Sequence, residues 1–208
     1  MHAMKETDQA ADAASRPHRR KRPRLTAFAR SRDGSAAIEF AHLAIPYFMV
    51  VFAIIETFIA FAGEELLSNA VDTMSRKMRT GQITTANTDA AAFRTAFCNE
   101  ISILIKCSTT EVATPSKLFI DVQNFATFAA IPTTIPKTST SAYADIKTAD
   151  FKYLPGGSGT INMVRAYYRW QVITDLIRPY ITNVRPADGS SSYFLMVATT
   201  AFQNEQYP

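Results

Sequence analysis

Histidine is almost missing from this sequence. His2, His18 and His42 are the only three in 208 residues. Everything after His42 therefore lacks a Ser–His or Cys–His nucleophile pair and a His-bound zinc site. Gly156, Gly157 and Gly159 are not followed by Gly-Lys-Ser or Gly-Lys-Thr, so they form no phosphate-binding loop and read as a flexible turn. Asp145 and Asp150 are near enough in sequence to pair as acid and base, but nothing sets them apart from ordinary surface carboxylates. These absences predict no catalytic residues, no metal, no cofactor and no small-molecule substrate. The chain is not expected to be an enzyme.

Positive charge is also unevenly missing. From Gly34 to Ser75 there is no Lys or Arg. Residues 1–34 hold nine basic residues against four acidic ones, whereas residues 35–208 hold 13 basic and 14 acidic. The sequence pI of about 9.1 thus belongs to the N-terminal segment. The near-neutral remainder offers no basic surface to nucleic acid. Residues 1–33 contain Pro17 and Pro23 and few apolar side chains, so they are expected to be disordered.

Inside the charge-poor window, Ile38 to Ala62 reads IEFAHLAIPYFMVVFAIIETFIAFA. Its 25 residues make a helix about 37 Å long, enough to cross a bilayer with some tilt. The basic cluster before it predicts a cytoplasmic N-terminus and an exported C-terminal part. Glu39 then sits at the cytoplasmic edge and Glu56 near the opposite interface, away from the bilayer centre, where a charge costs at least ~2.5 kcal/mol. A cleavable secretory signal is the rival reading, since Ala60-Phe61-Ala62 fits an A-x-A site. The run is much longer than a signal core of roughly 7–15 residues and carries carboxylates, which argues against it.

The helix is expected to continue. Leu67, Ala70, Val71, Met74 and Met78 make one apolar stripe, Arg76, Lys77 and Arg79 suit a last turn, and Gly81 stands at the position that follows a helix end. The stripe predicts packing on the domain's own sheet. Residues 88–106 read as a second amphipathic helix with Phe93, Phe97, Ile101, Leu104 and Ile105 on one side. Alternation predicts strands at 117–125 and 162–172, a more evenly apolar run rich in aromatic and Thr residues predicts a third at 192–202, and 132–160 reads as a long loop. The expected fold is α+β: a long N-terminal helix, half membrane and half amphipathic, one further helix, and a small antiparallel sheet burying one face on helix.

Cys98 and Cys107 are the only cysteines. An exported compartment and an even count favour a disulfide, and two buried free thiols are the alternative. On one continuous helix, residues nine apart lie about 13.5 Å apart along the axis. A bridge therefore requires the second helix to end before Cys107, and the turn is expected near Lys106.

The run Arg30-Ser-Arg-Asp-Gly-Ser-Ala-Ala-Ile-Glu-Phe40 stands between the basic segment and the apolar run. It resembles a class III signal, cut by prepilin peptidase on the cytoplasmic side so that the product keeps its membrane helix. A glycine before the scissile bond lets extended backbone enter a protease cleft. The stretches GSAAIEFAHLAIPYFMVVFAIIETF, LLSNAVDTMSRKMRTGQI, LFIDVQNF, VRAYYRWQVIT and ATTAFQNEQYP, with the cysteine pair, resemble the TadE family of pseudopilins of the tight-adherence (Flp) pilus. The resemblance implies a pilin-like fold, with cleavage between Gly34 and Ser35. It makes Glu39, followed by Phe40, the pilin-type recognition and assembly glutamate. It also implies a bacterial inner-membrane location, with prepilin peptidase, other pseudopilins and the pilus assembly machinery as partners. The organisation becomes a leader at 1–34, a helix at 35–80 and an exported domain at 81–208. The other function class left open is an uncleaved single-span anchor carrying a periplasmic binding or sensor domain.

Overall fold

The computed structural model describes residues 35–207. The chain divides at Pro46 into two compact units, Met1–Pro46 and Tyr47–Pro208. The described part of the first is helical. Helix α1 is assigned from Ser35 to Arg79. It stops where Gly81 adopts φ +76°, a left-handed conformation that costs glycine little. The Gly81 amide donates to the Met78 carbonyl (3.0 Å) and the Gln82 amide to the Lys77 carbonyl (2.9 Å), closing the helix with a Schellman pair of bonds. Arg76, Lys77 and Arg79 lie against the negative end of the helix dipole, as the sequence suggested.

The second unit is organised by the apolar stripe of α1. Leu67, Ala70, Val71, Met74 and Met78 are all buried, in one cluster with Leu118, Val122, Val164, Ala166, Met196 and Ala198 of the sheet. Burying each larger side chain contributes about 1.5–3 kcal/mol. Gly63 permits the close approach: a Cβ there would lie 3.2 Å from Met196 Cε.

Helix α2 spans Ala90–Glu100, with the Asp89 carboxylate accepting from the Ala92 amide. It ends six residues earlier than the amphipathic pattern suggested. Ile101 leaves helical geometry, and residues 101–104 turn so that both Ile101 and Ile105 reach the core. Leu104, placed on the buried side by periodicity, is 38% exposed. A short helix α3 follows at Thr109–Ala113.

Strands β1 (Leu118–Phe125), β2 (Ile161–Trp170) and β3 (Phe194–Gln203) form an antiparallel sheet in sequential order. Its register pairs Val122 with Val164 and Val164 with Thr200. A one-turn helix α4 at Arg178–Ile181 lies between β2 and β3. This is an α+β, pilin-like arrangement of a long helix on a small sheet.

The sheet buries more than the one face expected. Ile146, Tyr167, Val184, Tyr193 and Leu195 form a second cluster, with Phe119 and Phe151 packed against it. The Phe151 and Tyr167 rings stack at 4.7 Å. The 132–160 segment supplies much of this cover. Buried Arg165 donates to the Pro132 and Thr134 carbonyls at 2.7 and 3.1 Å. The Val122 amide donates to the Lys152 carbonyl and the Leu154 amide to the Val122 carbonyl, which covers the middle of the free edge of β1.

Candidate functional site

The N-terminal turns of α1 carry the residues singled out for recognition. Gly34 and residues 1–33, read from the sequence as a leader, lie outside the described residues, and Ser35 is the first residue of α1. Glu39 and Phe40 are exposed, Phe40 at 72%. Large apolar side chains are bare along the apolar part of the helix, among them Leu43, Phe48, Phe52, Phe58 and Phe61. Among the described residues, α1 is the one helix long and apolar enough to cross a membrane. Bare apolar surface of this extent marks an interaction with lipid or protein.

Cys98 and Cys107 are joined by a disulfide, with Cα atoms 5.8 Å apart. The early end of α2 at Glu100 makes this reach possible. Just beyond, Ser108 caps α3 by accepting from the Glu111 amide (3.1 Å). The Glu111 carboxylate then gathers the start of β1: Oε1 accepts from the amides of Ser116 (2.9 Å), Lys117 (2.7 Å) and Leu118 (2.8 Å), and Oε2 from the Ser116 hydroxyl. Burial works against ionisation of this group, but the hydrogen bonds outweigh it and hold the carboxyl below its ordinary range. Arg94 of α2 ties the same corner, donating to the carbonyls of Glu111, Val112 and Leu118.

Glu56 is the carboxylate whose role the sequence did not reveal. It is only 7% exposed. Its Oε2 accepts from the Thr174 amide at 3.0 Å and its Oε1 from the Ile173 amide. Two backbone donors satisfy a charge that would otherwise be costly to bury. The available signal was the carboxylate itself: an acidic residue in an apolar run implies a partner.

At the other end of α1, the Arg-Thr-Gly-Gln run and the C-terminal segment meet. The Glu205 amide donates to the Arg79 carbonyl (2.9 Å), and the Glu205 carboxylate lies 3.5 Å from Arg79 Nε. The Tyr207 ring packs on Gly81, where a Cβ would come within 2.8 Å of it. Buried Asn204 donates to the carbonyls of Gly156 (3.1 Å) and Gly157 (2.8 Å), and the Ser158 hydroxyl accepts from the Tyr207 amide. The glycine-rich run is therefore a cradle for the C-terminal segment rather than a free turn.

Neither aspartate considered for acid–base work faces the other. Asp145 accepts from Arg169 (2.8 Å) and from the Tyr193 hydroxyl, and Asp150 pairs with Lys147 at 2.9 Å. Burial and the Asp145 hydrogen bond push the Tyr193 phenol well above its usual range, so it stays protonated as the donor. Arg169 also stacks over the Phe119 and Tyr193 rings, at 4.7 and 5.4 Å. This is a network that fastens β2 to the 132–160 segment and to Tyr193, the residue before β3. Among the described residues, no group of three or more His, Cys, Asp or Glu is gathered as a metal site would need.

No curated protein and no solved structure matches the chain significantly. Residues 34–76, which hold the apolar run and most of the amphipathic half of α1, match the TadE-like protein family.

Proposed function

We propose that this chain is a membrane-anchored pseudopilin, a minor pilin or assembly component of a tight-adherence Flp pilus, matured by prepilin peptidase between Gly34 and Ser35. The observation that carries this reading is where the TadE-like match lies. It starts at Gly34, the residue at which the basic leader ends, and runs through the apolar segment. The pilin-like packing of α1 on a three-stranded sheet supports it. On this reading the leader is cytoplasmic, following the Lys and Arg bias, and the domain carrying the Cys98–Cys107 bridge is periplasmic. Glu39 lies one helical turn beyond the new α-amine of Ser35. It neutralises that amine or the amine of a neighbouring subunit, which favours side-by-side packing of membrane helices. The protein's partners are then the peptidase, other pseudopilins and the assembly machinery in the inner membrane.

The test is the intact mass of the protein extracted from membranes of the native host. Loss of residues 1–34 is expected. Retention of the leader would overturn the proposal in favour of an uncleaved single-span anchor.

A further inference from the structure

We propose that the segment after β2, residues 173–180, is seated in the interfacial layer of the membrane that α1 crosses, on the side of the folded domain. The inference rests on the membrane-spanning reading of α1 and adds a second, non-spanning contact with lipid.

The segment is tied to the apolar run itself, because the Ile173 and Thr174 amides donate to Glu56. Glu56 lies six residues before Ala62, the end of that run, which is about 9 Å along the helix axis. The tied segment is therefore level with helix surface that is itself bare and apolar: Phe52 is 56% exposed and Phe58 74%. A cavity of about 170 Å³, lined by Phe52, Ile55, Ile59, Trp170 and Ile173 together with the hydrogen-bonded Glu56 and Thr174, lies between the two apolar surfaces.

The segment also exposes what a bilayer interface takes up. Ile173 is 83% exposed, Leu176 62% and Tyr180 88%. Two aliphatic side chains beside a phenol match the boundary between headgroups and acyl chains. Its charges do not oppose the placement. Asp175 pairs with Arg178 at 2.6 Å, and Arg178 also donates to the Val172 carbonyl. With that pair neutralised, the attraction is apolar, so anionic lipid is not required.

Continuity with the membrane-embedded surface selects lipid over other occupants. A protein partner on this patch would have to displace the lipid already bordering Phe52 and Phe58. The seated segment would hold the folded domain against the bilayer through Glu56, so that extraction of the subunit must free both α1 and this contact.

The experiment uses the full-length chain in phosphatidylcholine vesicles, with and without phosphatidylglycerol. An environment-sensitive thiol probe is placed at Leu176→Cys or Tyr180→Cys, with Phe52→Cys and Ala86→Cys as references. The native cysteines are bonded to each other and do not react. All four positions are exposed, so the substitutions spare the core. The expected result is loss of iodide quenching and gain of quenching by lipid-borne spin labels at 176 and 180, equal in both lipid mixtures, with Ala86→Cys fully aqueous. If 176 and 180 are as aqueous as 86 while Phe52→Cys is lipid-exposed, the span stands and this inference is overturned. Protection from iodide without lipid quenching shows a protein occupant, such as a second copy, and also overturns it. An aqueous Phe52→Cys removes the spanning reading itself, and the inference falls with it.

Discussion

The Glu56 carboxylate accepts a 3.0 Å hydrogen bond from the Thr174 amide, across 118 residues of sequence. Replacing it tests how much the domain depends on that link. Glu56→Gln keeps one acceptor oxygen but turns an NH2 toward a backbone donor, which leaves one of the two amides without its partner. The expected loss is about 1–3 kcal/mol, and Glu56→Ala, which orphans both amides, should lose more. Thermal unfolding of the full-length protein in detergent measures both. Wild-type midpoints for both variants would show that the link carries no stability.

The disulfide closes a short loop, so its removal raises the entropy of the unfolded chain. The Cys98→Ser, Cys107→Ser double variant should be less stable by about 2.5–3 kcal/mol on the loop-entropy account. Urea unfolding of the two proteins under non-reducing conditions gives the difference. No shift of midpoint would mean that the turn at residues 101–106 is already held without the bridge.

Glu111 makes stability depend on acid. Its folded-state carboxyl lies below the ordinary value of 4.5 because backbone amides and Ser116 favour the anion over the effect of burial. The stabilisation is therefore complete above the unfolded value and is lost as pH falls through the lower folded one. Wild type should exceed Glu111→Gln in urea midpoint at neutral pH, with the gap closing toward pH 3. A gap that does not change with pH would assign the effect to packing rather than charge.

On the processing proposal, Gly34→Leu puts a bulky side chain at the scissile bond and should block removal of the leader, whereas Gly34→Ala is tolerated. The readout is the usual gel shift of the membrane-extracted protein. Normal shortening of the Leu variant would displace the cut from this bond.

Glu39→Gln separates maturation from assembly. It should be inserted and shortened normally, because the scissile bond and the apolar run are intact. On the proposed role of Glu39 it should fail to support pili, because the variant has no carboxylate to neutralise an α-amine in the low-dielectric interface. Pili at the wild-type level would remove the assembly role of Glu39.

What the sequence determined by itself is what repeats at short range. A 25-residue, mostly apolar run without Lys or Arg specifies a helix able to span. The stripe from Leu67 to Met78 specifies its buried face, and Gly81 its end. Alternation located β1 and β2 to within one or two residues, because it is a local period that backbone geometry turns into a face, and the apolar, aromatic- and Thr-rich run located β3 equally well. The family resemblance, too, was legible where the later match lies, on residues 34–76. The tertiary structure alone decided the rest. Period 3.6 could not show that α2 stops at Glu100, since Phe97, Ile101 and Ile105 keep a helical spacing past that end and are buried on either side of it. Nothing local paired Glu56 with Ile173 and Thr174, because backbone amides carry no sequence signature. The second face of the sheet is covered by a segment that reads as loop, and the glycines at 156 and 157 find their partner in Asn204, 48 and 47 residues away. A buried carboxylate or a run of glycines announces that a partner is needed. Which partner it meets is fixed only when the chain closes on itself and brings distant backbone into hydrogen-bonding range.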